Sequence, residues 1–143
     1  MNLEEQQRIE WLCGKARAAI MFHLDRGEFD AMVRYYTEDI VFVRLGKTLT
    51  GRGAILAAMA NRPAVVTRHL HSTTHFVEVN SDTAEAYTYN ATYSGAGDEV
   101  SGVASFPHQQ PHVFEFHDTY RRVGDEWLVA RRVADMVFKP PDG

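Results

Sequence analysis

The amino-acid sequence predicts an α+β fold, in which N-terminal helices pack on a strongly curved, mostly antiparallel sheet. Two observations lead to this prediction. Apolar residues recur at helical spacing in the first part of the chain, and β-rich runs separated by turn residues follow in the rest of it. Helices and strands segregated in this way are typical of an α+β domain. A curved sheet covered on one face should leave a cone-shaped cavity.

Two helices are expected at the start of the chain. The first should extend from about Leu3 to Asp25, because its apolar residues lie three and four positions apart, and Gly27 should end it. The second is shorter. Its apolar face would carry Phe29, Met32, Val33 and Tyr36.

A strand and a third helix should follow. Residues 40–44 form a β-rich run, so the first strand is expected there. The third helix should begin at Thr50 or Gly51 and end near Asn61, because Pro63 cannot continue a helix.

The remaining chain predicts two β-hairpins. His69 to Val79 and Ala84 to Ser94 flank the turn triplet 80–82. His112 to Val123 and Glu126 to Phe138 flank a Gly-Asp turn. Between the hairpins, residues 94–111 are rich in Gly, Ser and Pro, and we expect a long loop there.

Composition limits the possible functions. The 143 residues, 45% hydrophobic and 24% charged, are expected to form a single domain over residues 1–143. A net charge of -4 with scattered Lys and Arg gives no basic field, so nucleic acid is not an expected partner. No run approaches the roughly 20 apolar residues that a membrane span needs, and the first residues lack the apolar run of a signal peptide. Cys13 is the single cysteine, so an internal disulfide is not possible, which fits a reducing compartment. We therefore expect a cytoplasmic protein that does not bind membranes.

The run TRHLHSTTHF carries three histidines at near-alternate positions. A regular strand would send His69, His71 and His75 to one face. A strand histidine is more often a surface or satisfied core residue than a catalytic one. Alternating histidines can bind metal, but no helical His pair, cysteine pair or 2-His-1-carboxylate grouping supports this, and no metal is expected.

Asp25 lies in the last turn of the first predicted helix. A carboxylate there faces the negative end of the helix dipole, which raises its pKa unless a cation compensates. A histidine base could be that partner, since the carboxylate would fix its tautomer and leave the other ring nitrogen free for a proton. The alternative is a solvated acid at the helix end, paired with Arg26.

Further polar residues are candidates for lining the cavity. Tyr87, Tyr89 and Tyr93 alternate on one face of their strand, and one of the two faces must line the cavity. Tyrosines there could hold a ring-shaped substrate and donate to an oxyanion, or simply fill core. Arg131 and Arg132 point to opposite faces, so only one of them can reach the cavity.

Five segments stand in a characteristic order along the chain, namely LDRGEFDAM, YYTEDIVFV, TGRGAI, RHLHSTTHFVEVNSDTAEA and YRRVGDEWLVARRV. In these segments and in the order of its elements the chain resembles the SnoaL-like branch of the nuclear transport factor two superfamily. The resemblance covers nearly the whole chain. Within that superfamily the chain is most similar to the group of scytalone dehydratase, bile-acid dehydratase and hexachlorocyclohexane dehydrochlorinase.

The resemblance implies a set of site residues. Those enzymes use an aspartate near the end of the first helix and a histidine at the start of the strand after the third helix, which match Asp25 and His69. Arg132 lies near a pocket arginine of the dehydrochlorinase. Arg44 stands where scytalone dehydratase has a pocket tyrosine, and His112 matches its second pocket histidine approximately.

Together these observations favour a cofactor-independent lyase or isomerase of the dehydratase type, acting on a small hydrophobic and cyclic molecule. Asp25 and His69 would be catalytic. The expected substrate-binding residues are Arg44, His71, Tyr89, His112 and Arg132. The alternatives are a non-catalytic module that binds a hydrophobic ligand, and a small subunit of a ring-hydroxylating oxygenase. A homodimer or homotrimer is expected, because the superfamily commonly pairs through its sheets.

Overall fold

The computed structural model describes residues 1–97, 101–106 and 110–141. In these residues three helices precede or interrupt a seven-stranded sheet. The helices are α1 (Leu3–Asp25), α2 (Phe29–Val33) and α3 (Arg52–Ala60). The strands are β1 (Tyr36–Arg44), β2 (Lys47–Thr50), β3 (Val66–Val79), β4 (Thr83–Gly97), β5 (Ala104–Ser105), β6 (His112–Val123) and β7 (Glu126–Phe138). Within the described chain, no helix has the length and apolar character needed to cross a bilayer.

The sheet has the strand order β2-β1-β7-β6-β4-β3, and β5 pairs with β4. All neighbours are antiparallel except β1 and β7, which are parallel. The predicted α+β class with a curved, mostly antiparallel sheet is therefore confirmed. Register shifts interrupt β3, β6 and β7, and such bulges bend and twist the strands that carry them.

Helix α1 has the predicted bounds because both of its ends are capped. The Asn2 Oδ1 atom accepts a hydrogen bond of 2.8 Å from the Glu5 N–H. At the other end Gly27 takes a φ of +71°, a left-handed conformation that glycine adopts without steric cost. The buried side of the helix carries Ile9 and Cys13 into the main core, beneath the concave face of the sheet.

Three sequence-based expectations differ from the structure. Tyr36 belongs to β1 rather than to the second helix, although it is buried either way. Residues 47–50 form β2, a strand that the sequence did not indicate. The expected loop 94–111 is shorter, because β4 continues to Gly97 and β5 pairs with it. The rest of that expectation, at positions 98–100 and 107–109, lies outside the described residues.

Candidate active site

A cavity of about 460 Å³ lies between the helices and the concave face of the sheet. Its walls differ in character. Strands β3 and β4 contribute polar side chains, namely Thr67, His69, Asn90, Thr92 and Ser94. The same face of the sheet continues with aromatic side chains, Phe42 from β1 and Phe114 and Phe116 from β6, and the helices opposite contribute apolar residues such as Met21, Leu24 and Met59. An apolar cavity with a few convergent polar groups is the usual form of a small-molecule site.

Asp25 and His69 meet at the edge of this cavity. The His69 Nδ1 atom lies 2.5 Å from the Asp25 Oδ1 atom, and the His69 backbone N–H donates to Asp25 Oδ2 at 3.0 Å. The side chain of His69 is only 12% exposed and that of Asp25 only 10%. They come together because α1 ends where β3 begins, so the last helical carboxylate faces the first inward histidine of the strand.

A short chain of hydrogen bonds holds the carboxylate in place. The Thr67 hydroxyl donates to Asp25 Oδ1 at 2.8 Å, and Arg62 donates to the Thr67 hydroxyl at 3.0 Å. Burial would raise the pKa of Asp25, but the hydrogen bonds and charge of His69, with the bond from Thr67, outweigh it and lower the pKa. Asp25 is therefore an anion that accepts hydrogen bonds on both oxygens.

Arg132 forms the most deeply buried ion pair in the described part of the chain. Its Nε donates to Asp118 Oδ1 at 2.7 Å and its Nη2 to Asp118 Oδ2 at 2.9 Å, and neither side chain is exposed. Tyr120 donates a further bond of 3.3 Å to this carboxylate. The charge of Asp118 outweighs desolvation and raises the pKa of Arg132, so the guanidinium stays charged.

Among the described residues one donor of Arg132 makes no well-formed hydrogen bond, although the nearby Tyr36 hydroxyl interacts with the guanidinium. The Nη1 atom is buried and unpartnered, while the guanidinium lies 4.5 Å from the centre of the Phe116 ring and lines the cavity. A buried donor left without a partner is costly, and a ligand oxygen would satisfy it. Arg132 therefore lines the cavity, and its role in substrate binding stays a prediction of the family resemblance.

Arg44 and His112 also line the cavity. The Arg44 guanidinium carbon lies 5.0 Å from the centre of the Phe114 ring, and partial burial lowers the pKa of the arginine. His112 is half-buried and pairs in register with Thr92, which places it in the same row of the sheet as His69. The structure therefore brings His69, Arg44, His112 and Arg132 around one cavity, with Asp25 bonded to His69 at its edge.

His71 is placed differently from the expectation. Its ring packs between α1 and the sheet, where the Arg17 Nε donates to His71 Nδ1 at 3.1 Å and the ring edge meets Phe116. Burial, with the nearby charges of Arg132 and Arg17, lowers the pKa of His71 to about 3. A neutral ring that accepts at Nδ1 carries its proton on Nε2, which is buried and has no partner among the described residues.

Tyr89 does not reach the cavity, which corrects its assignment as a substrate-binding residue. The inward positions of β4 are Thr88, Asn90 and Thr92, so the alternating tyrosines lie on the outer face, and Tyr89 is 49% exposed. His75 also lies outside, because a register shift after His71 reverses the alternation of β3. The expectation of three histidines on one face was therefore wrong for the third.

Several residues around the cavity were not found by sequence reasoning. Thr67, Arg62 and Asp118 have common side chains and lack a motif, and their partners lie on other elements. Asn90 was not singled out, although it lies on the face of its strand opposite the alternating tyrosines. The alternation of β4 could have identified it, since a polar residue on the concave face must either find a partner or face the cavity.

Two other chemistries have no support in the described residues. There, no group of three or more His, Cys, Asp or Glu side chains could hold a metal ion. Cys13 is fully buried, and desolvation raises the pKa of its thiol to about 12. A thiol that stays protonated at neutral pH is a poor nucleophile.

The sequence model of the SnoaL-like domain family matches residues 13–133, which include every cavity residue named above. The chain belongs to the SnoaL-like domain family. No curated protein matches its sequence.

Solved structures share the fold of this SnoaL-like domain. A candidate dehydratase of the NTF2-like family from Streptomyces avermitilis is 20% identical, with 94% of this chain and 99% of that chain covered and a TM-score of 0.74. A candidate scytalone dehydratase from Novosphingobium aromaticivorans is 15% identical, with 95% and 89% covered and a TM-score of 0.74. A ketosteroid isomerase-like protein from Erwinia carotovora atroseptica is 18% identical, with 96% and 100% covered and a TM-score of 0.72. At these identities the similarity shows the fold alone.

Proposed function

We propose that this SnoaL-like domain is a cofactor-independent lyase or isomerase of the dehydratase type, acting on a small, apolar and cyclic molecule. The contact between Asp25 and His69 in a cavity of about 460 Å³ carries the proposal. A carboxylate and an imidazole held together beside an apolar cavity form a general base that can remove a proton from carbon. The dehydratase and isomerase descriptions of the structural neighbours agree with this class of reaction.

His69 is the proposed base. Its Nδ1–H donates to the Asp25 carboxylate, which leaves Nε2 as the acceptor for the substrate proton. When the proton arrives, the ring becomes an imidazolium, and the adjacent carboxylate stabilises its charge. Asp25 remains anionic throughout, because its low pKa keeps it from taking the proton itself.

Arg132 and Arg44 are proposed to stabilise the negative charge that develops on substrate oxygen. The unpartnered Nη1 of Arg132 would donate to an enolate or to the leaving oxygen. Arg44 adds a second positive charge to the same cavity, and His112 a further polar group. Water elimination fits this arrangement: the C–H electrons form the new double bond while the C–O bond breaks, and the leaving hydroxide, stabilised by the arginines, becomes water by taking the proton that His69 accepted.

The proposal is tested with a panel of cyclic ketones and cyclic β-hydroxy ketones. Proton NMR in D₂O would measure deuterium uptake next to the carbonyl and loss of water. We expect His69→Ala to reduce turnover about 10²–10⁴-fold, the usual contribution of general-base catalysis. His75→Ala is the matched control, because His75 lies on the same strand but on the outer face and should leave turnover unchanged. Full activity of His69→Ala would refute the assignment.

A second candidate function is ligand binding without turnover. The aromatic wall formed by Phe42, Phe114 and Phe116 would serve a binder equally well. Mass spectrometry of a co-purified ligand distinguishes the two. A binder would release the ligand unchanged after incubation with the pure protein, whereas an enzyme would convert it.

We also propose that the chain forms a homodimer or homotrimer through the outer face of its sheet. Leu70 of β3 and Tyr89 of β4 are 53% and 49% exposed on this face. Apolar side chains exposed together on a sheet favour an interface. Size-exclusion chromatography with light scattering would report two or three times the 16.2 kDa chain mass, and a mass of 16.2 kDa would contradict the proposal.

A further inference from the structure

Asn90 carries a buried acceptor that has no partner among the described residues. The side chain is on the concave face of β4, lines the cavity and is 1% exposed. Its Nδ2 donates to the Thr92 hydroxyl at 2.9 Å. The Oδ1 atom is buried and accepts no hydrogen bond from the described part of the chain. Buried acceptors are rarely left unpaired, so a ligand in the cavity is expected to donate a hydrogen bond to Asn90 Oδ1.

The position of Asn90 relates this acceptor to the proposed base. In the sheet His69 pairs with Thr92, and His71 pairs with Asn90. Asn90 is therefore the diagonal neighbour of His69 on the same face, a relation that separates two residues by about 7–8 Å. A substituted carbocycle spans such a distance. Phe114 pairs with Asn90 from the other side and offers an aromatic surface for the ring.

We propose that Asn90 is a specificity-determining residue for a hydroxylated carbocyclic substrate, whose hydroxyl group donates a hydrogen bond to Asn90 Oδ1 while His69 faces the carbon that loses a proton. This inference rests on the proposed function, since it names the substrate class of the same cavity. An amide oxygen has no proton to give to a leaving group. The hydroxyl at Asn90 is therefore one that the substrate retains, distinct from the oxygen that faces Arg132.

Three probes with one skeleton test the proposal by binding alone. Indan-5-ol carries a donor, 5-methoxyindane carries an acceptor without a donor, and indane carries neither. Isothermal titration calorimetry at pH 7 should show that the wild-type protein binds indan-5-ol about tenfold more tightly than 5-methoxyindane, the difference expected for one buried hydrogen bond. In Asn90→Leu, or in the smaller variant Asn90→Ala, this preference should disappear while indane binds as before.

Two further variants separate the possible outcomes. Ser94→Ala removes a hydroxyl from the same strand and the same cavity, and it should keep the preference. His69→Ala should also keep it, which shows that the probe does not donate to the histidine instead. A preference that survives Asn90→Leu, or a preference for the methyl ether, would overturn the inference.

The same measurements distinguish failure of this inference from failure of the proposed function. If Asn90 sets the preference but His69→Ala retains full turnover, the binding inference stands and the catalytic proposal falls. If His69→Ala loses turnover while no probe preference is seen, the inference about Asn90 falls alone.

Discussion

Replacement of Asp118 by Asn removes a negative charge from the protein interior with almost no change of shape. Arg132 holds this carboxylate through bonds of 2.7 and 2.9 Å, and neither side chain is exposed. Neutralising one partner of a buried pair costs about 3–5 kcal/mol, because the other charge stays away from water. The amide oxygen of Asn can still accept one bond, so we expect a loss near the lower limit, about 3 kcal/mol.

Urea unfolding followed by circular dichroism measures this loss. With an m-value of about 2 kcal/mol/M, a loss of 3 kcal/mol lowers the midpoint by about 1.5 M. Asp39→Asn is the matched control. Arg121 holds Asp39 through bonds of 2.6 and 3.2 Å, but these side chains are 43% and 67% exposed. An exposed pair contributes about 1 kcal/mol or less, so the control should move the midpoint by less than about 0.5 M.

Equal midpoint shifts in the two variants would refute the argument from desolvation. A third variant tests the same reasoning from the other direction. Combining Arg132→Met with Asp118→Leu removes both charges and fills the space with apolar groups. Such replacements are often neutral or stabilising, so the double variant should be more stable than Asp118→Asn.

Three further predictions follow from the titrating groups. Asp25→Asn should lower turnover by about 10²–10⁴-fold, since it removes the anion that orients His69. The pKa of Asp25 in the folded protein lies below its ordinary value of 3.8, so its contribution to stability is present above pH 3.8 and is lost as the pH falls through the folded pKa. Urea unfolding from pH 5 to 3 should therefore show a smaller loss of stability in the variant than in the wild-type protein. The pKa of His71 in the folded protein is about 3, so its ring NMR signals should show a neutral imidazole down to pH 4. The stability of the protein should fall as the pH drops below 6.5, because the unfolded chain protonates this histidine there and the folded protein does not. A His71 that titrates near 6.5 in the native protein would contradict this prediction. Cys13 should react with Ellman's reagent only after denaturation, because its thiol is buried and its pKa is about 12.

Much of the fold could be predicted because its signals are local. The bounds of α1 follow from spacing and from Gly27, and both hairpins follow from their turns. Strand β2 could not be predicted, since residues 47–50 are short and mostly polar and gain their order by pairing with β1. Tyr36 fits the helical spacing of α2 equally well, and only the pairing of β1 with β7 decides its conformation.

The candidate site was less accessible from sequence because it depends on register. Counting outward from the turn of the second hairpin places Asp118 opposite Arg131. A register shift between Thr119 and Tyr120 moves the pairing by one residue, and Asp118 meets Arg132 instead. A similar shift in β3 takes His75 out of the concave face. Bulges leave no reliable trace in the alternation of residue types, so the buried ion pair could not be derived.

The unlike walls of the cavity bear on stereochemistry. A flat guest that rests one side on the apolar helix residues Leu24, Ile55 and Met59 presents its other side to the sheet, where His69 lies. If His69 removes hydrogen, it reaches only one of the two enantiotopic hydrogens on a methylene carbon. The products should therefore carry isotope label with a single handedness.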